Sequence, residues 1–214
     1  SADDQLEFVP AVVANVAAVD RDADANSLPT YTIVSATPSS GLSLFSLDSV
    51  SGALSTRQQI DYDGKETPKE YRLFVEAADP TSPFWITHTT VVIEIEDAND
   101  HAPIFQIPNP LPYMTAVVHE GETQLGDVIY TVLATDFDDG QNGNVTYTLD
   151  PYIDGFKVDA LRGEVSVTRL FTRKLRPHIV LSVVASDNAA PTATAPHLTD
   201  TAVISVDTIT ANEL

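Results

Sequence analysis

Short runs in which apolar and polar residues alternate extend along the whole chain. Residues 91–96 read Val-Val-Ile-Glu-Ile-Glu, and this period of two predicts a strand with one buried face. Similar runs rich in Val, Ile, Thr and Tyr recur between clusters of Gly, Pro, Asp and Asn, and no segment has sustained helical periodicity. The pattern is typical of an all-β sandwich.

An internal repeat divides the chain into two halves. The paired blocks are Phe45–Ser55 with Phe156–Ser166, Val16–Asp22 with Val132–Asp138, and Leu73–Asp79 with Leu181–Asp187. In the first pair a Phe, an aliphatic residue, an Asp, a Gly and a second aliphatic residue fall in register, which predicts a strand, a turn at the Gly and another strand. We therefore predict two copies of one β-sandwich in tandem, with domains at residues 1–101 and 102–214.

The connector between the halves is rich in oxygen-bearing side chains. Asp97, Asn99 and Asp100 lie within four residues of one another, and Pro103 restricts the preceding Ala102 to extended geometry. Carboxylates, amide oxygens and main-chain carbonyls are the ligands that Ca²⁺ prefers. The same composition also occurs in ordinary polar turns, so this stretch alone leaves both interpretations open.

The charge balance favours a cation site over other kinds of partner. The chain has 31 acidic and 11 basic residues and a formal net charge of -20, which argues against nucleic acid because phosphate contacts need Lys and Arg. The acidic residues stand at strand ends along the whole chain rather than in one tail. Cys is absent, which excludes disulfides, thiolate metal sites and cysteine catalysis. No signal peptide opens the chain, and we expect the sequence to be a fragment of a longer protein.

Five blocks in a fixed order give the chain its resemblance to a known family. They are a first-strand Glu, an Asp-x-Asp, the block Ile60-Asp61-Tyr62-Asp63 in place of Leu-Asp-x-Glu, an Ala-x-Asp, and the linker Asp97-Ala98-Asn99-Asp100-His101 followed by Ala-Pro-x-Phe. Together they resemble the extracellular repeat of the cadherin family. The resemblance implies two tandem Greek-key β-sandwiches in an extended rod, clamped at their junction by about three Ca²⁺ ions held by oxygen ligands.

The resemblance also implies a set of calcium ligands. These are Glu7, Asp61 and Asp63 in the first half, Ala98, Asn99, Asp100 and His101 in the linker, and Asp136, Asp138, Asn142 and Asp187 in the second half. Asp63 stands where the family has Glu, so its carboxylate reaches about one methylene less far and affinity there is expected to be lower. His101 replaces an Asn whose carbonyl is the ligand, and we expect this change to be tolerated. Asp97 either ligates or shapes the turn.

The two outer ends of the chain depart from a complete site. Asp20, Asp22 and Asp79 resemble the downstream half of a further site, and without a preceding repeat we expect them to bind little or no Ca²⁺. Glu120 matches the first-strand Glu, but residues 170–173 read Leu-Phe-Thr-Arg where Leu-Asp-x-Glu is expected, and residues 207–212 lack the Asn-Asp pair. The prediction is a calcium-free junction after the second half.

The function implied by the resemblance is calcium-dependent cell–cell adhesion or mechanical linkage. The expected partner is another cadherin-type protein, homophilic or heterophilic, and the expected location is the cell surface, with membrane attachment through parts of the chain not present here. The alternative is a calcium-dependent module that binds glycan or matrix. An enzyme is disfavoured because no Gly-x-Ser-x-Gly or paired metal-binding His motif is present. Residues 144–146 form an N-glycosylation sequon, which, if used, places the chain outside the cell on an exposed edge; the alternative is a sequon that goes unused, as many do.

Overall fold

The protein folds into two compact units, Ser1–Glu96 and Asp97–Leu214. The computed structural model describes residues 8–19, 28–81, 84–106, 114–188 and 197–210. Glu7, Asp20 and Asp22, which the sequence analysis singled out, lie outside the described residues. The linker, residues 97–101, groups with the second unit, and the domain boundary after residue 101 stays a prediction.

The described residues of the first unit form two antiparallel three-stranded sheets. Its elements are β1 (Val12–Asn15), β2 (Thr30–Thr37), α1 (Gly41–Leu44), β3 (Phe45–Leu47), β4 (Ala53–Thr56), β5 (Glu70–Ala78) and β6 (Ile86–Glu94). One sheet has the order β1-β4-β3 and the other the order β2-β5-β6. Within the part of the chain that the structure describes, no helix is long and apolar enough to cross a membrane.

Strand β5 shows how the alternating sequence produces a sandwich face. Tyr71, Leu73 and Val75 are buried while the residues between them are exposed, as a period of two requires. Tyr71 packs edge to face against Phe45 of the other sheet, with ring centroids 5.4 Å apart. Leu54 completes this contact layer with 0% exposure. The core of the first unit thus lies between its two sheets.

The second unit repeats this arrangement with a longer sheet. Its strands are β7 (Ile104–Phe105), β8 (Met114–His119), β9 (Val128–Thr131), β10 (Ala134–Thr135), β11 (Val145–Leu149), β12 (Phe156–Val158), β13 (Glu164–Val167), β14 (His178–Asp187) and β15 (Thr199–Ile209). The sheets have the orders β11-β14-β15-β8, β12-β13-β9 and β10-β7. β8 runs parallel to β15, whereas the other described pairs in this unit are antiparallel. The predicted pair of tandem β-sandwiches is confirmed.

The repeated block of the sequence forms the same hairpin in both units. Strands β3 and β4 pair around a turn at Gly52, and β12 and β13 pair around a turn at Gly163. Both glycines have positive φ, 71° and 67°. A Cβ at Gly52 would lie 2.0 Å from the carbonyl oxygen of Val16, and one at Gly163 would lie 2.4 Å from that of Val132. Two features therefore require glycine, the positive φ and the close approach of a carbonyl oxygen from the residue that follows β1 or β9.

The aspartate of each block holds its turn. The backbone N–H groups of Arg162 and Leu161 donate to Asp159 Oδ1 at 2.9 and 3.0 Å, and they lower the pKa of that carboxyl below its ordinary value. In the first unit Ser51 donates to Asp48 Oδ1 from its backbone N–H at 2.7 Å and from its hydroxyl at 2.8 Å, which lowers the pKa of Asp48 in the same way. These aspartates stabilise turns, which separates them from the aspartates considered below.

Candidate metal centre

The pairing of two short strands in the second unit brings the linker to a group of aspartates. Asp136 and Asp138 follow β10 directly, and Asp187 is the last residue of β14. β7 and β10 are antiparallel, with Ile104 opposite Thr135. Residues that precede β7 therefore lie beside residues that follow β10, and the linker meets the acidic strand end.

Direct hydrogen bonds join the linker to two buried aspartates. Asp138 Oδ2 accepts the backbone N–H of His101 at 3.2 Å, and Asp138 Oδ1 lies 2.8 Å from His101 Nδ1. The Nδ2 of Asn99 donates to Asp187 Oδ2 at 2.9 Å, and the backbone N–H of Leu198 donates to the same oxygen at 2.8 Å. The side chains of Asp138 and Asp187 are both 0% exposed. Buried carboxylates are costly unless hydrogen bonds and positive charge compensate them.

Asp97 shapes the turn with one of its oxygens. Its Oδ2 accepts the backbone N–H of Asp139 at 3.1 Å and the Nδ2 of Asn142 at 2.9 Å. Its Oδ1 is buried and has no hydrogen-bond partner among the described residues. Of the two roles left open for Asp97, the structure therefore shows the turn and leaves one oxygen available to a cation.

A second buried oxygen, on Asp136, also lacks a hydrogen-bond donor. Asp136 Oδ1 accepts the backbone N–H of Asp138 at 3.0 Å, whereas its Oδ2 is buried without a partner among the described residues. Burial raises the pKa of Asp136 above its ordinary value, and the negative charges of Asp138 and Asp187 add to this effect. Buried acceptors that lack donors are rare in folded proteins and call for an ion, a water or another ligand.

The linker cluster is the name we give to the side chains so assembled. Its members are Asp97, Asn99, Asp100, His101, Asp136, Asp138, Asn142 and Asp187. Asp100 Oδ1 lies 2.9 Å from His101 Nδ1, and Asp100, His101 and Asp138 place ligand atoms within 4.8 Å of one another. The donor set, mostly carboxylate and amide oxygens around buried acceptors, fits a hard divalent cation such as Ca²⁺.

The remaining predicted ligands among the described residues belong to turns of the first unit or to the linker itself. Asp61 and Asp63 belong to the first unit, where Asp61 Oδ1 accepts the backbone N–H of Asp63 at 3.0 Å in a local turn. Asp79 also serves a local turn, because Thr81 donates to its Oδ1 from the backbone N–H at 2.6 Å. Ala98 is exposed between Asp97 and Asn99.

His197 is a neighbour of the cluster that the sequence analysis did not single out. Its Nδ1 lies 3.2 Å from the backbone oxygen and 3.2 Å from Oδ1 of Asp187. Nine residues lie between the two in the chain, and no motif links them. His197 lies near the end of the connection between β14 and β15, whose sequence has no periodic pattern.

At Glu120 the residues that replace the expected ligands have other roles. The backbone N–H of Arg173 donates to Glu120 Oε2 at 3.0 Å. Phe171, where the family pattern has Asp, is 9% exposed and stacks on Phe156 with ring centroids 4.9 Å apart. A Cβ at Gly155 would lie 2.1 Å from Phe171 Cζ, so the ring occupies space that only a glycine leaves open. Phe171 is a core residue here.

Comparison with known proteins decides the family. The sequence model of the cadherin domain matches residues 7–96 and 115–207, one match in each unit. The chain belongs to the cadherin family. Cadherin domains are adhesion modules without enzymatic activity, and calcium binding is general among them.

The cadherin relatives are far longer than this chain. Human protocadherin Fat 1 is 36% identical over 184 residues, which cover 84% of this chain and 4% of that protein. Human cadherin-23 is 33% identical over 173 residues, which cover 81% of this chain and 5% of that protein. The chain thus spans about a twentieth of the length of these relatives.

Solved cadherin structures share the fold. Mouse cadherin-23 EC22-24 superposes with a TM-score of 0.74 at 28% identity, over 94% of this chain and 60% of that one. Protocadherin gamma B2 extracellular cadherin domains 3-6 superpose with a TM-score of 0.79 at 23% identity, over 94% of this chain and 48% of that one. The second likeness supports the fold alone.

Proposed function

We propose that the chain is a pair of extracellular cadherin repeats that acts in calcium-dependent cell–cell adhesion or mechanical linkage, with Ca²⁺ bound at the linker cluster. The observation that carries the proposal is the burial of the Asp138 and Asp187 carboxylates, together with a buried Asp136 oxygen that has no donor in the part of the chain that the structure describes. Two carboxylates about 4 Å apart repel by about 4 kcal/mol at an effective dielectric constant of about 20. A bound divalent cation removes that repulsion.

The proposed ligands fall into three groups. Carboxylates come from Asp100, Asp136, Asp138 and Asp187, a side-chain oxygen from Asn99, and main-chain carbonyls from Ala98, His101 and Asn142. The family pattern adds Glu7, Asp61 and Asp63 of the first unit and a total of about three ions, each taking its six to eight oxygens from this shared set. In the range expected for extracellular modules, dissociation constants are about 0.1 to 1 mM.

The proposal extends to the outer end of the second unit. Residues 171 and 173, where the family pattern has Asp and Glu, are Phe and Arg here, so two of the ligand positions beside Glu120 are lost. Phe171 is buried in the core, and the backbone N–H of Arg173 donates to Glu120. We propose that the longer protein continues below this point through a calcium-free junction or into another kind of domain. Finding Ca²⁺ at Glu120 in a longer stretch of the protein would contradict this.

Calcium titration by calorimetry tests the metal centre. Asp187→Asn keeps the shape of the side chain and removes its charge, so we expect at least a tenfold loss of affinity. Asp154→Asn is the matched control, because Asp154 is exposed and pairs with Arg169 outside the cluster. Equal affinity in the two variants would refute the assignment of Asp187, and absence of calcium-dependent heat in the unaltered chain would refute the whole centre.

Bead aggregation tests adhesion. Beads coated with the chain, or with the longer protein that contains it, should aggregate in millimolar Ca²⁺ and disperse in chelator, either with themselves or with beads that carry another cadherin-type protein. Binding to a glycan array without aggregation would instead support the glycan- or matrix-binding alternative. Membrane attachment is proposed to reside in parts of the longer protein.

A further inference from the structure

We infer that Asn144 carries an N-linked glycan, an inference that rests on the extracellular location in the proposed function. Residues 144–146 read Asn-Val-Thr, and no other Asn in the sequence is followed at the second position by Ser or Thr with a residue other than Pro between them. The sequence therefore has one N-glycosylation site, and a glycan can be attached there only if the fold leaves Asn144 accessible.

The position of Asn144 leaves room for a large substituent. Asn144 is exposed and ends a turn in which its backbone N–H donates to the carbonyl oxygen of Gln141 at 3.2 Å. The next residue, Val145, begins β11, which lies at the edge of its sheet and pairs only with β14 among the described strands. A substituent on the Asn144 amide therefore leaves the body of the sandwich undisturbed, as surface glycans do.

The neighbouring Asn142 shows the contrast between a structural and an available amide. Asn142 Nδ2 donates to Asp97 Oδ2 at 2.9 Å and so forms part of the linker cluster. Asn142 is followed by Gly and Asn, so it lacks the acceptor motif. The two asparagines of one turn thus divide the roles, one directed at the metal centre and one available for modification.

The reaction requires a lipid pyrophosphate-linked oligosaccharide as the co-reactant. The Asn144 Nδ2 forms a bond to C1 of the first sugar, the bond from C1 to the pyrophosphate oxygen breaks, the amide loses a proton, and the lipid pyrophosphate leaves. Transfer occurs on the extended chain before β11 pairs with β14. The hydrogen bond from the Thr146 hydroxyl to the carbonyl oxygen of Ser186, 3.3 Å in the folded unit, forms afterwards and therefore does not block the transfer.

A glycan at this corner restricts where a protein partner docks. It stands two residues from Asn142 and hence beside the linker cluster, where a protein surface cannot approach closely but a small hydrated ion can. Adhesive contacts of the second unit are then confined to its other surfaces. Removal of the glycan should leave calcium affinity unchanged within about twofold, because no proposed ligand is altered.

Secretion of the chain from a cultured animal cell line tests the inference. Intact mass before and after treatment with peptide N-glycosidase should show the loss of one oligosaccharide and the conversion of Asn144 to Asp. Asn144→Gln and Thr146→Ala should abolish the shift, whereas Thr146→Ser should keep it. The peptide with Asn15, which is exposed and reads Asn-Val-Ala, is the internal control and should stay unmodified.

The outcomes separate this inference from the proposed function. An unmodified Asn144 in secreted protein that still binds Ca²⁺ would overturn the glycan and leave the metal centre intact. A glycosylated chain that does not bind Ca²⁺ would overturn the metal centre and leave the glycan intact. A loss of calcium affinity on enzymatic removal of the glycan would overturn the placement of the glycan clear of the metal ligands.

Discussion

Replacement of Phe171 tests whether this residue, which stands where the family pattern has a calcium ligand, belongs to the core of the second unit. Phe171 is 9% exposed and stacks on Phe156 at 4.9 Å, so Phe171→Ala removes most of a buried ring. Such truncations cost about 3–5 kcal/mol of unfolding free energy. Leu175→Ala is the matched control from the adjoining turn, because Leu175 is 79% exposed and its loss should change stability by about 0.5 kcal/mol or less.

Urea unfolding measured with two probes resolves the effect. The single Trp, Trp85, lies in the first unit, so its fluorescence reports on that unit, while hydrogen exchange of β13 and β14 reports on the second. With a slope of about 1–3 kcal/mol per molar urea, the Phe171→Ala midpoint of the second unit should fall by at least about 1 M. The urea midpoint that Trp85 fluorescence reports for the first unit should change less.

Phe171→Asp then distinguishes a core role from a dormant ligand position. It restores the residue type of the family pattern but introduces a carboxylate into an apolar site, so stability should fall at least as far as in Phe171→Ala. A variant that keeps its stability in chelator and gains a calcium site with Glu120 would refute the reasoning. Equal losses in Phe171→Ala and Leu175→Ala would refute it as well.

Three further predictions concern single residues. Burial raises the pKa of Asp136, so its ionised form destabilises the calcium-free fold; this destabilisation is absent below the pKa of the unfolded state and grows as pH rises towards the pKa of the folded state. Asp136→Asn should therefore lower calcium affinity and raise the urea midpoint in chelator, more at pH 7 than at pH 4. A lower urea midpoint in chelator would contradict this prediction. Gly163→Ala should lower the free energy of unfolding several times more than Gly121→Ala. Both glycines have positive φ, but only Gly163 of the two has a backbone oxygen 2.4 Å from the added Cβ. Equal losses in the two variants would show that this close approach is unimportant. The lowered pKa of Asp159 contributes stability that is present above the pKa of the unfolded state and is lost as pH falls through the pKa of the folded state. In urea unfolding, Asp159→Asn should therefore be less stable than the unaltered chain at pH 7 and equally stable at low pH. A constant difference in stability at all pH values would refute this role.

The repeated hairpins could be predicted from the sequence because local chemistry determines them. Asp and Gly stand at the same spacing in Phe45–Ser55 and in Phe156–Ser166, and both turns form as expected. The approach of the linker to Asp138 and Asp187 followed from the resemblance to the family rather than from spacing, since it depends on β7 pairing with β10.

Other features depend on packing that no local pattern encodes. The sequence shows that Phe171 cannot ligate Ca²⁺, but its place in the core depends on a gap that Gly155 leaves open and on the ring of Phe156. The contact of His197 with Asp187 joins the two ends of the connection between β14 and β15, whose sequence has no periodic pattern that would predict it. The sequence likewise does not predict that Oδ2 of Asp97 accepts hydrogen bonds within the turn while its Oδ1 is buried without a partner among the described residues.

The parallel pairing of β8 with β15 has a consequence for a chain under tension. β8 is the first long strand of the second unit and β15 the last, and they pair in register from Ile204 with Met114 to Ile209 with His119. A force that pulls the unit's beginning and end in opposite directions therefore acts along these strands, in shear. All the hydrogen bonds of the ladder must then yield together, whereas an antiparallel hairpin pulled from its open end would unzip one bond after another.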